Sequence, residues 1–296
     1  MIDTGYSMPT IQKHATAWKE GAVPELQEIA KALSIAIISG ISDRDGGRIY
    51  NSQVLIDANG EVIAKYRKTH LVAADPLDER GCFTAGNSFT FCKIDNFNVG
   101  LGICYDLRFP EFYRTLAVEH GANVLINSSA WPFPRLEHLR ILTLARAIEN
   151  QSYLILANRV GTDDGVTFCG SSVIVDPYGA IIAAASADRE ELIHADISKE
   201  VVDLVRSRMA VFAHRRGDLY KLRTGHRARL LQQGLQLKTR RERRSFRTGR
   251  CRLRGSEHRH DRNRNCDTVD NRPGRSTSRR KRFSNPRRRR LVPHCR

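Results

Sequence analysis

The sequence lacks any long apolar run. No stretch approaches the ~18–20 consecutive apolar residues of a membrane span, so no membrane span is expected. The opening Met1-Ile2-Asp3-Thr4 has neither a basic n-region nor an apolar h-region, and reads as carrying no secretory signal. Cysteine is sparse, with 7 residues in no tight framework. An odd, scattered set argues against a disulfide-stapled secreted domain and for a reducing, cytoplasmic setting. Cys251, Cys266 and Cys295, with His258, His260 and His294, include no pair at zinc-ligand spacing, so no metal is expected. No repeat of fixed period is present.

Acidic residues are scarce in one part only. The formal net charge of the 296 residues is +17. Residues 221–296 hold 24 Arg and 3 Lys against 5 acidic residues, whereas residues 1–220 hold 22 basic and 27 acidic. The sequence thus divides into a mildly acidic body, 1–220, and a very basic tail, 221–296. The overall charge says nothing about what the body binds. The tail has too few apolar residues to offset its ordering entropy, and disorder is expected. Three readings of it stand: a shifted reading frame of a GC-rich gene, a solvated extension, or a nucleic-acid tether. In the last, Arg-rich runs such as 240–244 and 287–290 would contact phosphates without sequence specificity.

What the body does contain is a regular alternation of β-rich and amphipathic segments. Pro24 opens a helical segment, 24–33, with Leu26, Ile29, Ala30 and Leu33 on one face. A strand-like run, 34–39, closes at Gly40. Strands at 50–56 and 62–66 flank the turn Asp57-Ala58-Asn59-Gly60. A short apolar strand, 99–103, enters Cys104, and 109–120 reads as a helix ending at Gly121. Further strands are expected at 122–127, 153–160, 171–175, 180–184 and 192–197. Helices are expected at 134–151, with Leu139, Leu142, Ala145 and Ile148 on one face, and at 199–208. The alternation predicts an α/β fold, with hairpins where no helix intervenes.

Three segments carry chemistry. In Gly100-Leu101-Gly102-Ile103-Cys104-Tyr105-Asp106-Leu107-Arg108-Phe109-Pro110-Glu111, an apolar strand delivers a Cys to a sharp strand-to-helix turn. Such a turn exposes a side chain at the sheet edge and aims backbone N–H groups at its target. A thiolate nucleophile needs a nearby cation or base to form. Tyr66-Arg67-Lys68-Thr69-His70-Leu71 places a Lys at a strand end, where it can hold an oxyanion. Glu79-Arg80-Gly81-Cys82-Phe83-Thr84-Ala85-Gly86 offers a carboxylate. Taken singly, each has a plain alternative: a buried small thiol, a solvated strand end, a surface ion pair. Cys82, Cys92 and Cys169 fall outside any nucleophile pattern and read as packing residues.

Taken together, the three segments resemble the nitrilase, or carbon–nitrogen hydrolase, superfamily. The resemblance continues through Ala145–Gln151, Asn158-Arg159-Val160-Gly161, Asp176-Pro177-Tyr178-Gly179 and His214–Tyr220. It implies an α-β-β-α four-layer sandwich. Cys104 would be the nucleophile, Lys68 would hold the tetrahedral intermediate with the Tyr105 backbone N–H, and Glu79 would support Lys68 and substrate. The implied reaction turns an amide into a thioester and then an acid, with no metal or organic cofactor. Trp131 and Arg108 would contact substrate. Arg108 has the alternative of bracing Glu111, and Trp131 that of a core aromatic. Ala130–Arg135 with His138 is similar to ω-amidase-like members, and the His214–Tyr220 ending to deaminated-glutathione amidases. Both point to a small amide carrying a carboxylate. A homo-oligomer is implied as well.

One part of the pattern is displaced. The resemblance implies a second Glu as general base, a few residues before a run like Thr4-Gly5-Tyr6. Counting back, it falls immediately before Met1. The first strand–helix–strand unit, on the order of 30 residues, is likewise expected to be missing. The expectation is therefore a chain impaired in amide hydrolysis, through a misassigned start or a truncated gene. The alternative is an inactive relative that acts by binding.

Overall fold

The computed structural model describes residues 1–74 and 77–220. The chain divides into two units, and the described residues belong to the first, Met1–Lys221. The expected disorder and nucleic-acid contacts of 221–296 lie outside the described residues.

Helices α1 (Met8–His14) and α2 (Val23–Leu33) lead into strands β1 (Ile37–Asp45), β2 (Arg48–Ile56) and β3 (Val62–Arg67). Two short strands follow, β4 (Ala73–Ala74) and β5 (Leu77–Asp78). Then come β6 (Phe91–Ile94), β7 (Phe97–Ile103), α3 (Pro110–Val118), β8 (Val124–Ser129), α4 (Leu136–Asn150) and β9 (Tyr153–Asn158). The chain ends its regular structure with β10 (Val160–Asp163), β11 (Val166–Cys169), β12 (Val173–Val175), β13 (Ile181–Ala184) and α5 (Lys199–Arg208).

Strands β1-β2-β3 form an antiparallel sheet, and a second sheet has the order β13-β12-β9-β8-β7-β6. Within the second, β7, β8 and β9 are parallel, β6 and β12 run antiparallel to them, and β13 pairs antiparallel with β12. This is the mixed α/β order that the alternation predicts. The Asp57–Gly60 turn forms as read: Asp57 Oδ1 accepts the N–H groups of Asn59 and Glu61, and Gly60 sits at φ +85°. A side chain there would meet strain that glycine avoids.

One core joins the two sheets. Leu55 of β2 and Tyr66 of β3 pack with Val99, Leu101, Leu125 and Leu154. Gln53 Nε2 donates to Ser128 Oγ across the gap at 2.6 Å. Helices α3 and α4 add Phe112, Leu116, Leu139 and Ala147 to the same core. A smaller cluster seats Val23, Leu26 and Ala30 of α2 on Ile41, Val54 and Ile56.

Three expectations are corrected. First, 192–197 is not a strand. Its two-residue alternation survives, with Ile193, Ala195 and Ile197 half-buried, but Leu192 is 95% exposed. A strand pattern becomes a strand only beside a partner edge, and none of the described strands pairs with it. Second, Gly40 does not close a strand; β1 starts at Ile37, runs through Gly40 opposite Gln53, and ends at Asp45. Third, the helix faces are rotated. In α2, Ile29 and Leu33 are exposed, and in α4 Ile148 is exposed while Leu139, Thr143, Arg146, Ala147 and Asn150 are buried. An apolar-only count missed polar residues that find backbone acceptors inside the fold. Thr143 donates to the Leu139 carbonyl and Arg146 Nε to the Leu107 carbonyl. Helix α1, strand β6 and the β10–β11 hairpin had no prior expectation.

Candidate active site

Strand β7 is parallel to β8, and both end at the same edge of their sheet. Cys104 is the first residue past β7 and opens a 3-10 turn, Cys104–Arg108. Its φ of +44° is left-handed. A non-glycine residue held there costs on the order of 1–3 kcal/mol and persists only where neighbours enforce it. Here they do. Asp106 Oδ2 accepts the Ile103 N–H at 2.9 Å, and Phe109 N–H closes on the Asp106 carbonyl at 3.0 Å. Beneath the turn, Asn127 Nδ2 reaches the Cys104 carbonyl at 3.5 Å and Tyr113 Oη at 2.7 Å. Gly102 makes room for this: a Cβ there would lie 2.4 Å from Tyr113 Oη.

Lys68 directly follows β3, and both it and Glu79 are buried, at 1% and 0% exposure. Lys68 Nζ meets Glu79 Oε2 at 2.6 Å. Glu79 stands at the start of a 3-10 turn, Glu79–Gly81, and its carboxylate takes four donors. Oε2 accepts Lys68 and the Val72 N–H at 2.7 Å; Oε1 accepts Asn51 Nδ2 at 2.9 Å and the Tyr6 hydroxyl. Burial opposes the charge on Glu79, but Lys68 and these hydrogen bonds hold its pKa below the ordinary value. Burial likewise opposes the Lys68 ammonium, yet Glu79, Cys104 and Asp106 together keep its pKa above the usual one. Tyr6 is pushed well above a normal phenol by burial and by Glu79, so it remains a neutral donor.

Cys104, Tyr105, Arg108 and Trp131 line a cavity of about 230 Å³, with Ala130, Pro132 and Arg135 completing one wall. Lys68 and Glu79 do not line it; Lys68 is buried within electrostatic reach of Cys104 and paired with Glu79. Trp131 follows β8, is 2% exposed, and spends its indole N–H on the Arg135 carbonyl at 2.9 Å. It is therefore both a core aromatic and a cavity wall. The Arg108 guanidinium lies 4.5 Å from the Trp131 ring centroid and 3.4 Å from His138 Nδ1. The expected Arg108–Glu111 brace does not form among the described residues. Glu111 is exposed at the first turn of α3, and Arg108 turns to His138 instead.

Sequence reasoning missed the supports. Tyr6 and Asn51, which complete the Glu79 cage, come from the N-terminal segment and from β2, far away in sequence. Tyr113 and Asn127 were hidden in what read as plain helix and strand. The Gly102 in the strand leading to Cys104 was the one available signal, since glycine inside a strand marks close approach. No group of three or more His, Cys, Asp or Glu among the described residues is placed to hold a metal. Among the described residues, no side chain hydrogen-bonds the Cys104 thiol.

The candidate site thus sets a strained thiol at the carboxyl edge of parallel strands, within electrostatic reach of a buried Lys that is paired with Glu79. The chain belongs to the carbon–nitrogen hydrolase family, whose model matches residues 1–207. It is 35% identical to 2-oxoglutaramate amidase of Bacillus subtilis over 218 residues, covering 73% of this chain and 83% of that one. Among solved structures it is similar to Saccharomyces cerevisiae Nit3, a member of branch 10 of the nitrilase superfamily. The identity is 29%, the TM-score 0.63, and the coverage 74% and 79% of the two chains. It also resembles a mutant form of the amidase from Nesterenkonia sp. AN1, which carries the acetamide moiety of fluoroacetamide added covalently at the active-site cysteine. There the identity is 26%, the TM-score 0.59, and the coverage 73% and 74%. These relatives make it an amidase-type carbon–nitrogen hydrolase. No helix among the described residues is long and apolar enough to cross a membrane.

Proposed function

We propose that this protein hydrolyses a small, carboxylate-bearing ω-amide to the acid and ammonia through a Cys104 thioester, on a four-layer α-β-β-α sandwich. The observation that carries the reading is the strained Cys104 opening into a small cavity, with the Lys68–Glu79 pair buried behind it. A base takes the thiol proton, and the sulfur attacks the amide carbon. The oxyanion is held by the Lys68 ammonium and the Tyr105 backbone N–H. The intermediate collapses as the base returns its proton to the leaving nitrogen, and ammonia departs. Water, deprotonated by the same base, then attacks the thioester, releasing the acid and restoring the thiol.

Glu79 is not that base. Its four donors occupy the lone pairs a proton would need, and its depressed pKa opposes accepting one. Its role is to fix the position and charge of Lys68. We take the base to be a second carboxylate, a few residues before the Thr4-Gly5-Tyr6 run, as the family resemblance implies. Residue 1 lies within electrostatic reach of Cys104, so a carboxylate joined there would arrive near the thiol.

The substrate class follows from size and charge. A cavity of about 230 Å³ falls below the ~300–1,000 Å³ of sites for drug-sized ligands. Arg108, stacked on Trp131 at the cavity wall, offers its guanidinium to a carboxylate. The relative's 2-oxoglutaramate is an amide of this kind. The test is ammonia release from a carboxylate-bearing ω-amide and from a neutral amide of equal length. Both are assayed with and without an upstream segment bearing Glu. Release that needs the segment, favours the carboxylate and vanishes in Cys104→Ala supports the reading. Equal rates for both amides would remove the substrate class, and equal rates without the segment would remove the base assignment.

A further inference from the structure

We infer that His70 is a positioning residue for the Cys104 chemistry, acting through Asp106; the inference rests on Cys104 being the nucleophile. Asp106 is fully buried and its carboxylate is a junction. Oδ2 accepts the Tyr66 hydroxyl at 2.7 Å and the Ile103 N–H at 2.9 Å. Oδ1 faces His70 Nδ1 at 2.7 Å, with two longer contacts to the His70 N–H at 3.3 Å and Thr69 Oγ1 at 3.4 Å. An ionised carboxylate only accepts, so the imidazole donates from Nδ1.

The placement of these partners gives the junction its purpose. Tyr66 and His70 lie two residues before and two residues after Lys68. Ile103 and Asp106 bracket Cys104. One carboxylate therefore ties the turn that bears the nucleophile to the strand end that bears the oxyanion cation. Tyr66 is completely buried and packed in the core, so its end of the tie is fixed. His70 is the partly exposed member, with 32% of its side chain open. It is held by stacking on Phe109, at 3.8 Å between centroids and 12° between planes. Phe109 closes the same turn through its N–H on the Asp106 carbonyl.

Without the His70 donor, Oδ1 keeps only the two long contacts. The carboxylate is then anchored firmly through Oδ2 alone, and the acceptor of the Ile103 N–H can pivot about that one anchor. Cys104 sits in a left-handed conformation that its surroundings must enforce. Loosening the clamp shifts the thiol relative to Lys68, and a displacement of about 1 Å can cost on the order of 100-fold in rate.

The test compares His70→Phe, which keeps the ring and its stacking but has no donor, with His70→Asn, which restores a donor near the Nδ1 position. The readout is the rate of Cys104 alkylation by iodoacetamide, followed by peptide mass, alongside the thermal midpoint. Cys104 alkylation is expected to fall at least ~10-fold in His70→Phe and to recover to within ~3-fold in His70→Asn. The rates at Cys82 and Cys92 should stay unchanged. Wild-type alkylation in His70→Phe, or no recovery in His70→Asn at equal thermal midpoint, overturns the inference. Should His70→Phe not fold, His70→Ala with added imidazole replaces it, because the site is open to a cavity of about 480 Å³. Recovery with imidazole supports the inference, and its absence in a folded His70→Ala overturns it. Amide hydrolysis that survives in Cys104→Ala would instead sink the underlying nucleophile reading.

Discussion

Replacing Glu79 with Gln tests the buried pair most sharply. Gln keeps the volume and one carbonyl oxygen, which can still accept Tyr6 and Asn51. Its amide nitrogen then faces two donors, Lys68 Nζ and the Val72 N–H, where a carboxylate oxygen had accepted both. A buried ammonium is left without its counter-charge. Breaking one side of a buried ion pair costs about 3–5 kcal/mol, so Glu79→Gln should lose that much stability in a urea melt at neutral pH. Adding Lys68→Met removes one of the opposed donors and the stranded charge. The double variant should be more stable than Glu79→Gln alone, with a coupling of about 1–3 kcal/mol. The double variant should also hydrolyse amides about 100- to 1,000-fold more slowly, because it loses an oxyanion donor. The pH dependence has a fixed sign. Glu79 has a depressed pKa when folded, so its contribution is present above its ordinary 4.5 and disappears as pH falls through the folded value. The gap between wild type and Glu79→Gln should therefore close below pH 4.5. A Glu79→Gln protein within about 1 kcal/mol of wild type, well short of the cost of a broken buried pair, would refute this account. So would a double variant less stable than the single.

Three further outcomes can be checked. Gly102→Ala drives a methyl group to 2.4 Å from Tyr113 Oη, and overpacking of this kind costs about 1–3 kcal/mol; Tyr113→Phe in the same chain should recover part of the loss in a denaturant melt. Burial pushes the Cys82 and Cys92 thiols up to about 11, so their alkylation rates should rise about tenfold per pH unit between about pH 8 and 10; flat profiles by peptide mass would contradict that burial. Arg108→Leu, in a chain supplied with its base, should raise KM for a carboxylate-bearing amide about 10- to 100-fold, the value of a charge-assisted hydrogen bond. It should leave a neutral amide nearly unaffected.

The places of Cys104 and Lys68 at strand ends were legible because each sits at a punctuated position. Cys104 ends an apolar strand before Pro110, and Lys68 ends the strand after the Asp57–Gly60 turn. Strand and helix alternation likewise carried the α/β class, and α5 was read at its observed bounds. What resisted reading was cooperative. Residues 192–197 have the pattern of a strand, but a strand also needs an edge to pair with. Helix α4 hides Thr143, Arg146 and Asn150 inside because each finds a backbone acceptor, and no apolar count foresees that. The Glu79 cage draws on Tyr6, Asn51, Lys68 and Val72, whose meeting is a property of the assembled fold. Arg108 shows the same limit from another side. Its sequence neighbour Glu111 looked like the natural partner, and the fold brought His138 instead.

Lys68 hangs from the three-stranded sheet and Glu79 from the short β4–β5 pair, whereas Cys104 and Trp131 hang from the six-stranded sheet. The groups proposed to react therefore belong to different sheets, and the spacing of the two main sheets is set by Leu55, Leu101 and their neighbours in the shared core. Packing residues that touch no substrate thus act as spacers for the chemistry. For anyone evolving this enzyme, that spacing is a tuning screw: volume changes at Leu55 or Leu101 should retune rate and substrate preference while every residue at the cavity wall stays as it is.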